Sequence, residues 1–284
     1  LEIKIGKSLP YLEHVNKLYD IKPKLINDSI FLEARDELNS LFEGEGNLME
    51  RIMTSRKQKE LPYDKIEPRF LKAFTILRKR TKKLFPKLLP LHEEIEINIV
   101  KDQPWSAYNW YLGDKKSKID INTDLPILWS NILSTAAHEG YPGHHTHNAI
   151  KEELLYHKKC QFEHSILLIP TPEAVISEGI GNTGLDVLLS QKEIAQITLD
   201  QLCPNPLDEN VDRLRAQNNA WKKISGFSGN LAIFAHVDGW SDEQLVQYGL
   251  DFGFLPEKYL RQQLKFIRDP LWASYVFTYS IGEK

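Results

Sequence analysis

Apolar side chains recur every three or four residues through residues 8–90, which is the spacing of amphipathic helices. Leu12, Val15 and Leu18 show this spacing first, and later segments repeat it. Prolines are expected to divide the region into separate helices, because proline ends or kinks a helix. They stand at Pro62, Pro68, Pro86 and Pro90. The pattern therefore predicts an N-terminal region made of several helices.

The pattern changes after this helical region. Residues 95–100 (Ile-Glu-Ile-Asn-Ile-Val) alternate apolar and polar side chains, and residues 118–122 alternate again after a turn at 113–116. Such alternation is typical of half-buried strands. The aromatic segment 107–111 between them predicts a further strand. A small β-sheet is therefore expected directly before residues 128–137, an apolar run that predicts a helix.

Helical spacing returns after the strands and continues to the end of the sequence. Residues 151–169 predict one helix. Thr171 followed by Pro172 marks the start of another, because threonine is a good N-cap and proline is favoured at the first helical position. We therefore expect a mainly α fold of the α+β class. Residues 1–90 would pack on the core formed by residues 91–284, as one compact unit.

Charge and composition narrow the kinds of partner. The net charge is −3, and the basic stretch 69–83 carries Phe70 and Phe74 at helical spacing. We interpret that stretch as the solvated face of a helix rather than a nucleic-acid surface. No apolar run is long enough to span a membrane, and two cysteines, Cys160 and Cys203, are too few for a disulfide framework. We predict a cytoplasmic protein without nucleic-acid or membrane partners, of undetermined oligomeric state.

Residues 136–147 carry the densest chemistry. Four of the nine histidines lie there, and Glu139 directly follows His138. In zinc hydrolases two imidazoles bind the metal, and a glutamate beside them takes a proton from water. The usual HExxH arrangement has its second histidine at i+4, but Pro142 occupies that place. The segment predicts a zinc site of unusual spacing with Glu139 as general base; the alternative is a set of surface histidines at a helix end.

The choice of the second ligand depends on Pro142. On a straight helix His145, at i+7, returns to within about 20° of His138, whereas His144, at i+6, faces away. An interior proline removes a backbone hydrogen bond and collides with the preceding turn, so Tyr141 and Pro142 are expected to act as a two-residue insertion. Without them His144 takes the i+4 place, preceded by glycine as in HExGH sites. We favour His144 and keep His145 as the alternate ligand.

A third protein ligand is expected, because catalytic zinc sites use three protein ligands and one open position. Glu178 lies in a largely apolar predicted helix, where a carboxylate needs a strong partner; the alternative to a metal is an arginine or lysine. His157 and His164 are alternative ligands. Glycines in the same helix predict its close approach to a neighbouring helix, such as the one before the histidine cluster. These are Gly179, Gly181 and Gly184.

Four stretches together resemble one family. Residues 138–145, His-Glu-Gly-Tyr-Pro-Gly-His-His, resemble the HExxPGHH signature of an uncharacterised bacterial and archaeal family related to gluzincin-type zinc metallopeptidases. Residues 118–126, 176–179 and 277–282 resemble its strand, Glu-Gly and Tyr-x-Ile-Gly motifs. The last pattern is also similar to that of thermostable carboxypeptidases with HExGH sites. The resemblance covers residues 90–284 well.

The resemblance implies a metallopeptidase-like helical domain with a small sheet beside its active-site helix. It implies Zn²⁺ bound by His138, His144 and Glu178, and Glu139 as general base. Tyr279 would donate a hydrogen bond to the oxyanion that forms when a carbonyl is attacked. We therefore expect a zinc-dependent peptidase, carboxypeptidase-like, with a peptide or small amide as substrate. The alternatives are a hydrolase of a non-peptide amide or ester, and a non-catalytic helical module with a structural metal.

Substrate contacts are less closely defined by the motifs. The family's Pro-Gly-Gln stretch is replaced by Asp-Pro-Leu-Trp at residues 269–272. Tyr275, one helical turn before Tyr279, would contact substrate or take over its role, unless both are core aromatics. Arg268 would bind a substrate carboxylate bidentately, unless it is a solvated surface residue. An extended peptide is expected along a sheet edge formed by residues 118–122.

Overall fold

A computed structural model describes residues 9–205 and 210–284. Within these residues the fold is mainly α with one small sheet, as the sequence predicts. The N-terminal helices are α1 (Tyr11–Tyr19), α2 (Asp28–Leu41), α3 (Leu48–Lys59) and α4 (Tyr63–Leu84). The strands are β1 (Glu94–Val100), β2 (Ala107–Gly113) and β3 (Lys116–Asn122). The later helices are α5 (Ile132–Glu139), α6 (His144–Lys151), α7 (Pro172–Leu188), α8 (Gln191–Ile197), α9 (Val211–Lys222), α10 (Phe227–His236), α11 (Asp242–Phe252), α12 (Glu257–Arg268) and α13 (Val276–Gly282).

Helix α4 contradicts one of the proline predictions. Pro68 does not separate two helices, because it lies inside α4. A proline there removes one backbone hydrogen bond in the second turn. The following turns bury Phe70, Phe74 and Leu77 on one face, and this burial maintains the helix across the defect. Pro62, in contrast, directly precedes α4 as its N-cap residue, as expected.

Strand β3 is the centre of the sheet, whose order is β1-β3-β2. It pairs in parallel with β1 and antiparallel with β2, and its Ile119 and Ile121 are buried. Because β3 is paired on both sides, residues 118–122 have no free edge for a peptide, and that prediction is wrong. One edge of the sheet belongs instead to β2, which contacts α5 and α6.

Two apolar clusters fill the interior, and each crosses the predicted boundary at residue 90. One joins α1–α3 to α10–α13, where Phe31, Phe227 and Phe252 meet with ring centroids 5.2–5.8 Å apart. The other joins α4 and β3 to α5 and to α7–α9. Burial of each such aromatic side chain contributes about 1.5–3 kcal/mol. The N-terminal helices therefore share both cores with the part of the chain that carries the histidines.

The helix predicted over residues 151–169 ends early. Helix α6 passes into a π-helical turn at Glu152–Lys158, after which Cys160 adopts a left-handed φ of 54°. Pro170 further disfavours helical geometry for the residue before it. Segment 166–169 is consequently not helical, and it holds three exposed apolar side chains in the connection that leads to α7.

Candidate metal centre

Helices α5 and α6 are separated by a bend at residues 140–143. Across the bend the Gly143 N–H donates to the Ala137 carbonyl at 2.9 Å, and the Thr146 N–H donates to the Gly140 carbonyl at 3.2 Å. Both bonds reach back six residues, whereas α-helical bonds reach back four. The backbone therefore accommodates two extra residues before the helical ladder resumes, which is the insertion that the sequence predicts.

Gly143 is required at this bend because the backbone approaches itself there. A Cβ on Gly143 would lie 1.9 Å from the carbonyl oxygen of His138 and 2.4 Å from that of Ala137. Neither oxygen can withdraw without moving the last turn of α5. Only glycine lacks the Cβ, so any other residue would push the start of α6, and with it His144, away from His138.

His138, His144 and Glu178 meet where α5, α6 and α7 come together. The Nε2 atom of His138 lies 3.2 Å from Oε2 of Glu178, and the Nε2 atom of His144 lies 3.4 Å from Oε1. One ligand atom from each of the three residues lies within 4.8 Å of the others. Two imidazoles and one carboxylate are a donor set of catalytic zinc sites. Their spacing fits one metal ion.

Glu178 is buried, with 3% of its surface exposed, and its Oε2 atom makes no hydrogen bond. Burial alone would raise the pKa of Glu178, but the positive charges of protonated His144 and His138 outweigh burial and hold the pKa well below its usual range. The Tyr275 hydroxyl donates to Oε1 at 2.6 Å. Tyr275, for which the sequence predicts a substrate contact, thus supports Glu178 and lines the same small cavity. A buried carboxylate that faces two imidazole nitrogens suits a bound cation.

Ser177 orients the second histidine. Its hydroxyl oxygen lies 3.0 Å from Nδ1 of His144, which leaves Nε2 of His144 facing Glu178. A hydrogen bond to the non-ligating nitrogen fixes the tautomer and the ring orientation of a metal-binding histidine. The sequence analysis predicts no role for Ser177. The one sequence feature that could indicate such a role is its position directly before Glu178 in the Glu-Gly motif.

The glycines of α7 allow this helix to pack tightly, as predicted. A Cβ on Gly181 would lie 2.7 Å from the imidazole ring of His138. Gly184 packs in the same way against the bend between α5 and α6, whereas Gly179 packs against the backbone of α13. Helix α7 therefore lies in close contact with both neighbours, and this contact brings its carboxylate to the two histidines.

His145 lies outside this group, so the straight-helix alternative is wrong. It is fully buried, and its Nδ1 atom lies 2.8 Å from the hydroxyl oxygen of Ser117 on β3. Burial lowers the pKa of His145 to about 4, so its imidazole is neutral at pH 7. The bend at Pro142 shifts the helical register by two residues, and His144 rather than His145 consequently faces His138.

Three further candidates lie away from the group. His157 is exposed and pairs with Glu152 at 3.1 Å, and His164 lies in the short 3₁₀ turn that follows. Arg268, the predicted carboxylate-binding residue, pairs with Asp242 at 3.0 Å and donates to two backbone carbonyls. Its guanidinium donors are therefore used within the fold, and the structure does not support Arg268 as a substrate contact.

Glu139 and Tyr279 line the same cavities as His138. Burial raises the pKa of the Glu139 carboxyl, and its backbone carbonyl accepts a hydrogen bond from Nδ2 of Asn109 on β2 at 2.6 Å. The ring of Tyr279 lies 6.4 Å from that of His138, centroid to centroid. Burial also raises the pKa of Tyr279, so its hydroxyl keeps the proton that a hydrogen-bond donor needs.

Two cavities meet at the histidine–glutamate group. The larger has a volume of about 850 Å³ and the smaller about 90 Å³. His138, Glu139 and Tyr279 line both, while His144 and Glu178 line the smaller one. Polar, aromatic and aliphatic side chains border both cavities. A ligand at the group therefore has room in both cavities.

Comparison with known proteins supports the fold and no activity. No protein-family model and no curated protein matches the sequence. The fold is similar to a crystal structure described as "the putative lipoprotein from Colwellia psychrerythraea", with a TM-score of 0.60 and 17% identity. The match covers 96% of this chain but 47% of that chain, so this chain spans about half the length of that protein. Among the described residues, no helix combines the length and apolarity that crossing a bilayer requires.

Proposed function

We propose that the protein is a zinc-dependent hydrolase of a peptide or another amide, with carboxypeptidase-like action as the first expectation. The observation that carries the proposal is the convergence of His138, His144 and Glu178, with ligand atoms within 4.8 Å of one another. Glu139 lines the same cavities. Metal ligands and a carboxylate base beside a cavity are the parts that metal-assisted hydrolysis requires.

Each residue has a separate task in the proposed reaction. Zinc, when bound by the three ligands, would polarise the substrate carbonyl and make a water molecule more acidic. Glu139 would take the proton of the attacking water and return it to the leaving amine; burial raises its pKa, which brings a carboxylate closer to the pKa that suits a general base. The protonated hydroxyl of Tyr279 would donate to the oxyanion.

The two alternatives use the same residues. A hydrolase of a non-peptide amide or ester would need no different groups, and only a substrate panel separates it from a peptidase. A structural metal site would be favoured by a fourth protein ligand. His145 is engaged with Ser117, and the candidate ligand group within the described residues has three members. A three-ligand group leaves a coordination position for substrate or water, and it therefore supports the hydrolase.

The test combines metal analysis with hydrolysis of a panel of short peptides, amides and esters. After zinc loading and dialysis, we expect a single zinc ion per chain by mass spectrometry and turnover of at least one panel member. Glu139→Gln should retain zinc and lose at least about 100-fold in rate, the contribution typical of a general base. Glu67→Gln, on the exposed side of α4, is the matched control and should change neither quantity.

Three outcomes would contradict the proposal. If the zinc-loaded chain retained no metal, the ligand assignment would fail. If Glu139→Gln hydrolysed at the parental rate, the general-base role would fail while the metal site could stand. Retention of zinc without turnover of any panel member would favour the structural-metal alternative.

A further inference from the structure

Arg56, on α3, lines the larger cavity together with His138 and Glu139. Its guanidinium carbon lies 4.4 Å from the ring centroid of Tyr259, which also lines the cavity. The Nε atom of Arg56 is buried and has no hydrogen-bond partner. No carboxylate in residues 9–205 and 210–284 forms a salt bridge with it. This cation is therefore held against an aromatic ring, and no residue in the described part of the chain accepts a hydrogen bond from its buried Nε.

The carboxylates of the cavity are committed elsewhere. Asp186 pairs with Lys222 at 2.5 Å, and Glu139 is the proposed base. Arg268, the candidate carboxylate-binding residue of the sequence analysis, is bound by Asp242. A buried donor without an acceptor is costly, and a guanidinium fork matches a carboxylate bidentately. An incoming carboxylate would thus satisfy donors that the fold itself leaves unpaired.

We infer that Arg56 binds a carboxylate of the substrate. The site would then take acidic amides, either N-acyl amino acids or peptides with a free carboxylate at the chain end or on a side chain. As a statement about catalysis this rests on the proposed function, but carboxylate binding by Arg56 does not require turnover. The substrate amide would lie near Glu139, with its carboxylate in the larger cavity. The apolar side chains of Leu168 and Trp272 line part of the smaller cavity.

A matched pair of ligands tests this assignment. N-acetylphenylalanine and N-acetylphenylalanine amide share the amide bond and the aromatic ring, and they differ only in the carboxylate. A charge-assisted hydrogen-bond pair favours the charged ligand by about 10-fold to 100-fold. We expect that preference for the acid in the affinities of the unmodified protein, measured by calorimetry with zinc-loaded and with chelator-treated protein.

Arg56→Gln should remove the preference in both preparations, so that the acid and the amide bind with about equal affinity. Lys57→Gln removes the positive charge of the next residue, which is exposed on the same helix and does not line the larger cavity. This variant should keep the full preference. Arg56→Lys keeps the charge and loses the planar fork, so it should retain part of the preference. It also decides the question if Arg56→Gln fails to give a cooperative unfolding transition.

The remaining outcomes would overturn the assignment. In the first, the unmodified protein does not prefer the acid. In the second, the preference survives in Arg56→Gln. In the third, Arg56→Lys keeps the full preference. If the preference disappeared on chelation but persisted in Arg56→Gln, the carboxylate of the ligand would be bound at the metal site and not by Arg56. The proposed function fails separately: an Arg56-dependent preference without any hydrolysis would leave Arg56 as a carboxylate-binding residue in a protein of another activity.

Discussion

At the residue scale, the candidate centre depends on side chains that fix other side chains. Ser177 holds His144 by its Nδ1 atom, and Tyr275 donates to Glu178. Neither would touch a metal. Both limit the orientation of a ligand before any ion arrives, which reduces the entropy lost on binding. The orientation of His144 and Glu178 therefore depends on hydrogen bonds from other side chains of α7 and of the C-terminal part of the chain.

We predict that Ser177→Ala weakens zinc binding by about 10-fold to 100-fold, the usual effect of losing a hydrogen bond to a metal-binding histidine. Competition with a chromophoric chelator measures the change. Thr183→Ala is the control, because it removes a hydroxyl from the same helix that bonds only to the Gly179 carbonyl. An unchanged zinc affinity in Ser177→Ala would mean that the hydroxyl does not orient His144.

The metal-free protein should lose stability as the pH rises. Burial opposes protonation of His138, but the Glu178 carboxylate outweighs it and raises the pKa of His138 to about 9. A pKa raised above the ordinary 6.5 stabilises the fold fully below pH 6.5, and that stability is lost as the pH rises towards 9. Thermal unfolding at low salt from pH 6 to 9.5 measures it. Glu178→Gln should remove this dependence, and an unchanged pH profile in that variant would contradict the pairing.

At the element scale, the bend between α5 and α6 decides which histidine becomes a ligand. We predict that Gly143→Ala lowers zinc affinity by at least about 10-fold, because its Cβ would collide with two carbonyl oxygens of α5. Gly229→Ala is the control: its Cβ would meet only the Phe277 ring, at 3.3 Å. Isothermal titration with zinc compares the two. Equal affinities would show that α6 can shift without moving His144.

The local part of this arrangement follows from the sequence, and the long-range part does not. Pro142 and Gly143 are adjacent in the chain, so their effect on helical register can be worked out from backbone geometry. Ser117 is 28 positions from its partner His145, and no local pattern indicates that contact. The same holds for the central position of β3, because alternation identifies a strand but not its neighbours. Arg56 is one of many cations at helical spacing, and only the folded cavity distinguishes it.

At the scale of the whole molecule, the two apolar clusters tie the N-terminal helices to the candidate centre. Phe74 of α4 packs against Tyr141 at the bend, with ring centroids 6.4 Å apart. A Cβ on Gly140 would lie 2.5 Å from the same phenyl ring. Helix α4 thus forms one wall of the bend. The geometry of the centre consequently depends on residues outside the stretch that resembles a metallopeptidase.

We predict that a fragment of residues 91–284 does not fold cooperatively, because it would expose the apolar faces that pack against α1–α4. Each uncovered large side chain costs about 1.5–3 kcal/mol, and several exceed the whole stability of a typical domain. Circular dichroism during heating compares the fragment with residues 1–284. A fragment that unfolds in one sharp transition near the same temperature would mean that residues 91–284 form an independent domain.

The most direct test of the central claim is an anomalous difference map from zinc-loaded crystals, recorded on both sides of the zinc absorption edge. We predict one peak per chain within about 2.0–2.2 Å of Nε2 of His138, Nε2 of His144 and a carboxylate oxygen of Glu178, the distances of zinc to these ligand types. A peak that His145 coordinates in place of His144, or no peak among these residues at full zinc loading, would contradict the account.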